Sequence, residues 1–227
     1  MSARVPVSPA PDQRVTSSRR RILDVAGELF AAYGYEGVST RQIAAGAGLN
    51  IATVAHHVGG KRDLYLAVLE EFHDRERAVF EHALAALPDP LPAGPAARRD
   101  ALLSVLDAYL DFCLATPQVP ALWMRRWLSD ADDVRSVERA YAAPLYRMLE
   151  RVLAEACVDA DPHLALRTVV WTIYGYCTGG VLDVRGERVA PTDPAARRAF
   201  RAHLRTLVAR MLGFPDPDMS GVPDPET

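Results

Sequence analysis

The segment VSTRQIAAGAGLNIATVAHHVGGKRDLY, from Val38 to Tyr65, constrains the fold of this chain more than any other. Ser39, followed three residues later by Gln42, fits a capping box at the start of one helix. The run Gly46-Ala47-Gly48 then predicts a sharp turn, because glycine tolerates the left-handed backbone that a tight reversal requires. A short helix that ends in a tight turn is therefore the first expected element.

A second short helix is predicted on the far side of this turn. Asn50 is a favourable N-cap for Ile51–Val58, and a pair of glycines ends that helix. Apolar residues at helical spacing predict a preceding helix over Ser18–Tyr33 and a long helix that opens near Lys61. This order predicts a helix-turn-helix, in which the second helix of the motif enters the major groove of DNA.

Charge is unevenly distributed along the 227 residues, whose net charge is −3. Residues 1–62 carry eight basic and four acidic side chains, a net of 8 − 4 = +4, whereas the remainder carries 18 basic and 25 acidic side chains, a net of −7. A basic head on an acidic body favours a polyanionic partner at one end only. Chance scatter of surface charge is the alternative.

The rest of the chain shows helical periodicity and no competing strand pattern, so the predicted fold class is all-α. A long helix is expected over Asp132–Val158 with a kink near Pro144, since proline removes one helical hydrogen bond. We predict a disordered N-terminal tail at 1–17, a helix-turn-helix DNA-binding domain at 18–65, a helical ligand-binding and dimerisation domain at 66–213, and a disordered acidic tail at 214–227.

Residues 19–69 combine these signals as RILDVAGELFAAYGYEGVSTRQIAAGAGLNIATVAHHV, followed by GGK and DLY. In this order and spacing they resemble the N-terminal DNA-binding domain of TetR-family transcriptional regulators. The resemblance covers about a quarter of the chain, and the helical remainder is compatible in length without being diagnostic. It implies a three-helix DNA-binding head on a helical ligand-binding body that works as a homodimer.

The candidate DNA contacts lie on the predicted recognition helix and at the starts of the helices beside it. Thr53 and His56 can hydrogen-bond a base or a phosphate, while Ile51 and Ala52 can pack on thymine methyl groups. The full predicted set is Thr40, Arg41, Asn50, Ile51, Ala52, Thr53, His56 and Lys61.

Five of these positions are also implied by the resemblance, because they commonly contact DNA in the family: Thr40, Arg41, Thr53, His56 and Lys61. Ala55 departs from the family pattern, since many members have a tyrosine there that reaches the DNA backbone. This departure puts one expected phosphate contact in doubt.

The helical body offers aromatic surface for a small, largely apolar effector. The predicted effector-binding residues are Phe112, Trp123, Trp127, Tyr146, Trp171 and Tyr174. Plain core packing is the alternative for each of them. Arg125 and Arg126 could pair with an acidic effector, although surface arginines of this kind are the alternative.

The last two predicted helices, Pro162–Asp183 and Pro194–Leu212, are expected to form the homodimer interface as a four-helix bundle across a two-fold axis. Glycines in the first helix would permit close approach, and both helices supply apolar area: Val169, Val170, Ile173, Leu204, Leu207, Val208 and Met211. Two recognition helices would then meet half-sites about 34 Å apart.

These observations predict a ligand-responsive transcriptional regulator, a repressor released from a pseudo-palindromic double-stranded DNA operator by its effector. The alternative is a helical dimeric module for small molecules or proteins that has lost DNA binding. Enzymatic activity is not expected, because the histidines and cysteines match no catalytic or metal-binding motif. No cofactor is predicted. No apolar run approaches the roughly 18–20 residues that span a bilayer, so a cytoplasmic protein without a membrane partner is expected.

Overall fold

The computed structural model describes residues 11–129, 138–156 and 160–214. The N-terminal head consists of α1 (Pro11–Tyr33), α2 (Thr40–Gly46) and α3 (Ile51–Val58). A long helix, α4 (Lys61–Ala85), leaves the head and enters the body. The body continues through α5 (Pro95–Ala115), α6 (Gln118–Ser129), a π-helical turn (Glu138–Ala142), α7 (Ala143–Ala156), α8 (Pro162–Gly179), β1 (Val181–Leu182), β2 (Arg188–Val189) and α9 (Pro194–Met211). The predicted fold class is confirmed, since only one two-residue ribbon interrupts the helices of the described residues.

The head is held by apolar side chains that α1 and α4 bury together. Ile22, Phe30, Ile43 and Tyr65 are fully buried, and the ring edge of Tyr65 meets Phe30 with 5.0 Å between ring centroids. Such an edge-to-face pair adds about 0.5–1.5 kcal/mol beyond the area buried. Because Tyr65 belongs to α4, the head core extends directly into the helix that leads to the body.

Two glycines set the geometry of the head. Gly48 has φ +64°, the left-handed conformation expected for the reversal between α2 and α3. Gly27 lies under the Phe72 ring, and an added Cβ would come within 2.8 Å of Phe72 Cζ. The small residue on α1 therefore allows α4 to cross α1 closely.

Helix α1 begins at Pro11, earlier than the predicted start at Ser18. Proline at the first helical position suits a helix N-terminus, because its ring presets φ and its missing N–H has no partner there in any case. The predicted disordered tail at 1–17 thus overlaps an observed helix, and its first ten residues lie outside the described part. The tail predicted at 214–227 also lies outside it from residue 215 onward.

Helix α6 connects the body to the head, since it packs against both α1 and α8. On its head side, Arg125 Nε donates to the Ala31 carbonyl at 2.7 Å, and Arg125 Nη2 donates to the Ala32 carbonyl. These are carbonyls of the last turn of α1, which have no partner within their own helix. Arg125 is therefore a structural link between body and head, and it does not line the body cavity where an acidic effector could pair with it.

The helix predicted over Asp132–Val158 is partly described. A π-helical turn ends at Ala142 and α7 starts at Ala143, so the change in helix type falls next to Pro144, where the kink was predicted. Residues 130–137 and 157–159 lie outside the described part.

Helix α8 ends at Gly179, earlier than the predicted Asp183. Gly180 has φ +66°, and a Cβ there would lie 2.2 Å from the Val189 carbonyl oxygen. The chain turns at this residue into the β1–β2 ribbon, which the sequence did not predict because each strand is only two residues long.

Within the described ranges, no helix combines the length and the apolar character required to cross a lipid bilayer.

Candidate DNA interface and ligand cavity

Helix α3 is capped by its own side chains. Asn50 Oδ1 accepts the Thr53 backbone N–H at 2.7 Å and the Thr53 hydroxyl at 2.9 Å. Val54 is buried, at 1% exposure, and anchors the opposite face of the helix in the head core. The cap and this anchor fix the rotation of α3, so its outer face is presented as a rigid surface.

The outer face of α3 is small and largely apolar. Ile51 is 44% exposed, and Ala52, Ala55 and His56 are exposed as well. Thr53 is only half-buried, and its hydroxyl proton is held by Asn50, so its oxygen remains available as an acceptor. The fold thus presents the predicted recognition residues outward as one surface. The Asn50 cap was predicted from the sequence, but the hydrogen bond from the Thr53 hydroxyl to that cap was not.

Two further predicted contacts lie at the start of α2. Arg41 is exposed and Thr40 is half-buried. The capping box that precedes them is formed as predicted: Ser39 Oγ accepts from the Gln42 backbone, and Gln42 Oε1 accepts from the Ser39 backbone at 2.8 Å. This geometry holds the first turn of α2 at the surface near α3.

Lys61, the first residue of α4, lies over the Tyr35 ring with 4.4 Å between Nζ and the ring centroid. Its Nζ is also 3.9 Å from Glu36 Oε2. Asp63 Oδ2 accepts the Gly60 backbone N–H at 3.0 Å, so one helix N-terminal donor is already engaged. The aromatic ring positions the ammonium group, while the two carboxylates compete with a phosphate for this end of α4.

A cavity of about 400 Å³ lies in the body between α4, α5, α6, α7 and α8. This volume falls within the range of about 300–1,000 Å³ that is usual for small-molecule sites. Its walls include Phe80, Trp123, Trp127, Tyr146 and Leu149, with the Trp127 and Tyr174 rings stacked 5.6 Å apart. Aromatic side chains therefore form a large part of the cavity wall.

A buried carboxyl group lies at the inner end of this cavity. Glu76 is 5% exposed, and its Oε1 accepts from Tyr109 Oη at 2.6 Å and from Tyr174 Oη at 3.2 Å. The two hydroxyl groups are also 2.8 Å apart. Burial raises the pKa of Glu76, and the tyrosine hydrogen bonds only partly oppose this shift. Burial likewise raises the pKa values of both tyrosines well above their usual range.

The outer end of the cavity is basic. Arg139 and Arg147 are exposed, and Arg167 is half-buried with its guanidinium 4.6 Å from the centroid of the Tyr146 ring. Glu150 also lines this end, where its Oε1 lies 2.7 Å from His163 Nδ1. The cavity thus changes from an aromatic interior with a carboxyl group to a basic rim.

The cavity brings together four of the six residues predicted to bind an effector: Trp123, Trp127, Tyr146 and Tyr174. The other two do not line it. Phe112 is buried beside Tyr109, with 6.4 Å between ring centroids, because it faces the core between helices. Trp171 is 57% exposed, since it lies on the outer face of α8.

The sequence reasoning missed Glu76 and Arg167. A signal for Glu76 was present: it stands four residues after Phe72 and four before Phe80, on the same buried face of α4. A carboxylate on the apolar face of a helix indicates a functional or paired group. Arg167 gave no comparable signal, because its place at the rim depends on how α7 packs on α8.

The outer faces of α8 and α9 are exposed in the single chain. Trp171 and Leu164 (62% exposed) lie on α8 in the same stripe as Gly175. The apolar residues predicted to form the dimer interface are partly used elsewhere, because Val170, Ile173, Leu204 and Val208 are buried within the protomer. On α9 the exposed stripe instead consists of small residues: Ala195, Ala199, Ala202 and Thr206.

Within the described residues, no group of three or more histidine, cysteine, aspartate or glutamate side chains could hold a metal ion.

Comparisons with known proteins identify a family match for the head and several relatives. The model of the bacterial regulatory proteins of the tetR family matches residues 22–68. The HTH-type transcriptional repressor AcnR of Corynebacterium glutamicum is 37% identical over 65 residues, which are 29% of this chain and 35% of AcnR. The HTH-type transcriptional dual regulator CecR of Shigella flexneri is 28% identical over 171 residues, 71% of this chain and 75% of CecR.

One similar crystal structure extends the comparison to the body. AibR in complex with isovaleryl coenzyme A and operator DNA has a TM-score of 0.61 at 17% identity, over 86% of this chain and 98% of that one. The match to AcnR spans about a third of that protein's length, whereas the fold likeness covers head and body. Residues 22–68 therefore match the tetR family of bacterial regulatory proteins, and the fold of head and body together is like that of AibR.

Proposed function

We propose that this protein is a ligand-responsive transcriptional repressor that binds a pseudo-palindromic operator as a homodimer. A small, largely apolar effector enters the body cavity and lowers the affinity for DNA. The observation that carries the proposal is the rigid, outward face of α3 on a head that shares its core with α4, whose inner face reaches the cavity at Glu76 and Phe80.

The outer face of α3 suits the major groove. Ile51 and Ala52 supply apolar surface for thymine methyl groups, and exposed His56 supplies a donor or acceptor for a base edge or phosphate. Arg41 and Lys61 on the flanking helices add positive charge for the phosphate backbone. Base contacts and phosphate contacts thus lie on one surface of the head.

Effector and DNA binding are coupled in this proposal through α4 and α6. Helix α4 carries Glu76 and Phe80 in the cavity and Lys61 and Tyr65 in the head. A ligand that moves α4 or α6 changes the position of α3, and the coupling must be reciprocal between the two sites. AibR, with the same fold, was crystallised with isovaleryl coenzyme A and operator DNA, which supports a protein of this shape taking both kinds of ligand.

The homodimer would form through the outer faces of α8 and α9. Leu164 and Trp171 supply exposed apolar surface on α8, and the small side chains of α9 allow close helix approach. These two helices and their symmetry mates form a four-helix bundle across the two-fold axis. The paired α3 helices then meet half-sites about 34 Å apart.

Fluorescence anisotropy with a duplex from the promoter region of its own gene tests the proposal. We expect saturable, salt-dependent binding that is tighter than binding to random duplex. His56→Ala should reduce specific affinity by about 1–3 kcal/mol, whereas the control His82→Ala, at an exposed position on α4 in the body, should not. Equal affinity for promoter and random DNA would contradict sequence-specific regulation.

The second candidate function is a dimeric small-molecule or protein-binding module that has lost DNA binding. It is favoured by the composition of α3, IATVAHHV, which contains no arginine or lysine and has Ala55 where the resemblance leads one to expect tyrosine. Random duplex at low salt separates the two functions. A working head binds it with micromolar or better affinity, and the binding weakens with added salt.

A further inference from the structure

The cavity has a gradient of polarity from its interior to its rim. Glu76, Tyr109 and Tyr174 at the inner end are each no more than 5% exposed. The two arginines contributed by the π-helical turn and α7, Arg139 and Arg147, are exposed at the other end. A ligand that fills the cavity therefore has one end in an aromatic interior and the other among guanidinium groups.

Among the described residues, the rim of the cavity carries more basic than acidic side chains. Within the described ranges, no ion pair joins Arg139, Arg147 or Arg167 to a carboxylate. Glu150, the one acidic side chain among the described residues that line this end, already has His163 Nδ1 at 2.7 Å from its Oε1. Three arginines thus face the cavity without a counter-ion from these parts of the chain.

We propose that the effector is an amphipathic anion, with a carboxylate or phosphate head bound by Arg147 and Arg167 and an apolar body against the tryptophans of the cavity. This inference rests on the proposed function, in which the cavity is the effector site.

The chemistry of arginine favours this choice over a neutral or cationic ligand. A guanidinium group presents a planar fork of donors that matches carboxylate and phosphate oxygens. Arg167 is half-buried on the Tyr146 ring, so its orientation is fixed and its charge is less screened than that of an exposed arginine. A cationic head at this rim would meet like charges.

The buried carboxyl group does not reverse this preference. The raised pKa of Glu76 favours its neutral form, which attracts a cation weakly but can donate a hydrogen bond. In the described part of the chain, the hydrogen-bond partners of Glu76 are the hydroxyl groups of Tyr109 on α5 and Tyr174 on α8. The inner end therefore accommodates a neutral polar group of an otherwise apolar ligand body.

Isothermal titration calorimetry of the full-length protein with four ligands of equal chain length tests the inference. The probes are decanoate, decyl phosphate and decyltrimethylammonium, each below its micellar concentration, and decanol below its solubility limit. We expect at least one anion to bind tenfold or more tightly than both the alcohol and the ammonium compound. The ratio between decanoate and decyl phosphate identifies which head group the rim prefers.

Charge-neutral variants locate the head group. Arg147→Gln, at an exposed position where folding is not at risk, and Arg167→Gln should each weaken binding of the preferred anion about tenfold. Neither change should alter the affinity for decanol. Arg151→Gln on the same helix removes an exposed arginine that does not line the cavity, and it should leave every affinity unchanged.

Each outcome bears on a different statement. If the ammonium compound or decanol binds most tightly, the inference about the ligand class is overturned. If that compound also releases DNA, the proposed function as a ligand-responsive repressor still stands. Anion binding that requires Arg147 and Arg167 but does not release DNA supports the ligand class and contradicts the repressor mechanism. Absence of binding by all four probes overturns the inference, whereas DNA binding is then judged by anisotropy alone.

Discussion

Arg125 Nε in α6 donates a hydrogen bond to the Ala31 carbonyl oxygen in α1, 2.7 Å away. On the same helix, Trp123 and Trp127 line the body cavity. Helix α6 therefore lines the cavity with one face and contacts the last turn of the first head helix with another. In the proposed mechanism, a ligand that displaced α6 would act on the head without passing through α4.

Arg125→Met should uncouple the two sites. The change removes a charge-assisted hydrogen bond to a helix C-terminus, for which a cost of about 1.5–3 kcal/mol in the free energy of unfolding is typical. We expect the effector-induced loss of DNA affinity to shrink in the variant, while its affinity for the effector stays near that of the wild type. Anisotropy measured with and without decanoate, or with whichever probe releases DNA, reports the ratio of DNA dissociation constants.

Arg151→Met serves as the matched control, because Arg151 is exposed on α7 and contacts neither the cavity nor the head. Urea unfolding of both variants separates loss of stability from loss of coupling. An unchanged ratio of dissociation constants in Arg125→Met would assign the coupling to α4 alone.

Substitution of Lys61 should lower the affinity for DNA, and substitution of Glu36 should raise it. Lys61 Nζ lies 3.9 Å from Glu36 Oε2, and the Glu36 side chain is 84% exposed. Lys61→Ala should weaken binding to all sequences and reduce the slope of log K against log salt by about 0.9 per lost phosphate contact. Glu36→Gln frees Lys61 and removes a negative charge, so it should strengthen binding to all sequences.

Glu28→Gln controls for the change in net charge, since Glu28 is an exposed acid on α1 in the same head. Anisotropy titrations at several salt concentrations measure both slope and affinity. If Glu28→Gln strengthened binding as much as Glu36→Gln, the effect would be one of overall charge, and Lys61 would have no specific phosphate contact.

The head could be predicted from the sequence because its determinants are local. The capping box at Ser39, the left-handed Gly48 and the Asn50 cap each act within a few residues of themselves, and all three are present as predicted. The early start of α1 at Pro11 was missed, since the residues after it lack an apolar stripe. The local pattern did not predict that the Thr53 hydroxyl donates to Asn50 in the cap of its own helix.

The cavity was harder to predict because its parts come from distant helices. Tyr109 and Tyr174 meet at Glu76 across three helices, and no local pattern encodes that meeting. The aromatic content of the sequence indicated a pocket, but it did not indicate which aromatic residues line it. Trp171 is exposed, and its spacing along the helix does not reveal whether it faces the protomer core or the surface. The basic rim likewise follows from how α7 lies against α8.

Glu76→Gln should stabilise the protein increasingly as pH rises. The pKa of the folded glutamate is raised by burial above the unfolded value of about 4.3, so the folded state holds its proton more tightly. The stability contributed by the protonated form is complete below the unfolded pKa and is lost as pH rises through the folded pKa. Glutamine keeps an oxygen that can accept from Tyr109 and cannot ionise.

Thermal unfolding midpoints of wild type and Glu76→Gln between pH 5 and pH 8 test this expectation. The difference in midpoint should widen with pH in favour of the variant and become constant above the folded pKa. Glu70→Gln, an exposed position on the same helix, controls for the loss of a negative charge on α4. A gap that narrows as pH rises would mean that ionised Glu76 stabilises the fold.

Trp171→Glu should break the homodimer. Trp171 is 57% exposed and shares the outer face of α8 with Leu164. Tryptophan is enriched among the few interface residues that contribute about 2 kcal/mol or more to binding. A glutamate there would also bring two like charges together across the two-fold axis. Sedimentation equilibrium should show a dimer for the wild type and a monomer for the variant at the same concentration, with helical content unchanged by circular dichroism.

Leu182→Glu is the matched control, because this residue of the β1–β2 ribbon is 67% exposed but lies outside the stripe of Leu164 and Trp171 on α8. Since two half-sites must be held together for operator binding, Trp171→Glu should also lose operator affinity while retaining weak binding to random duplex. A dimeric Trp171→Glu would locate the interface on another face and contradict the α8–α9 bundle.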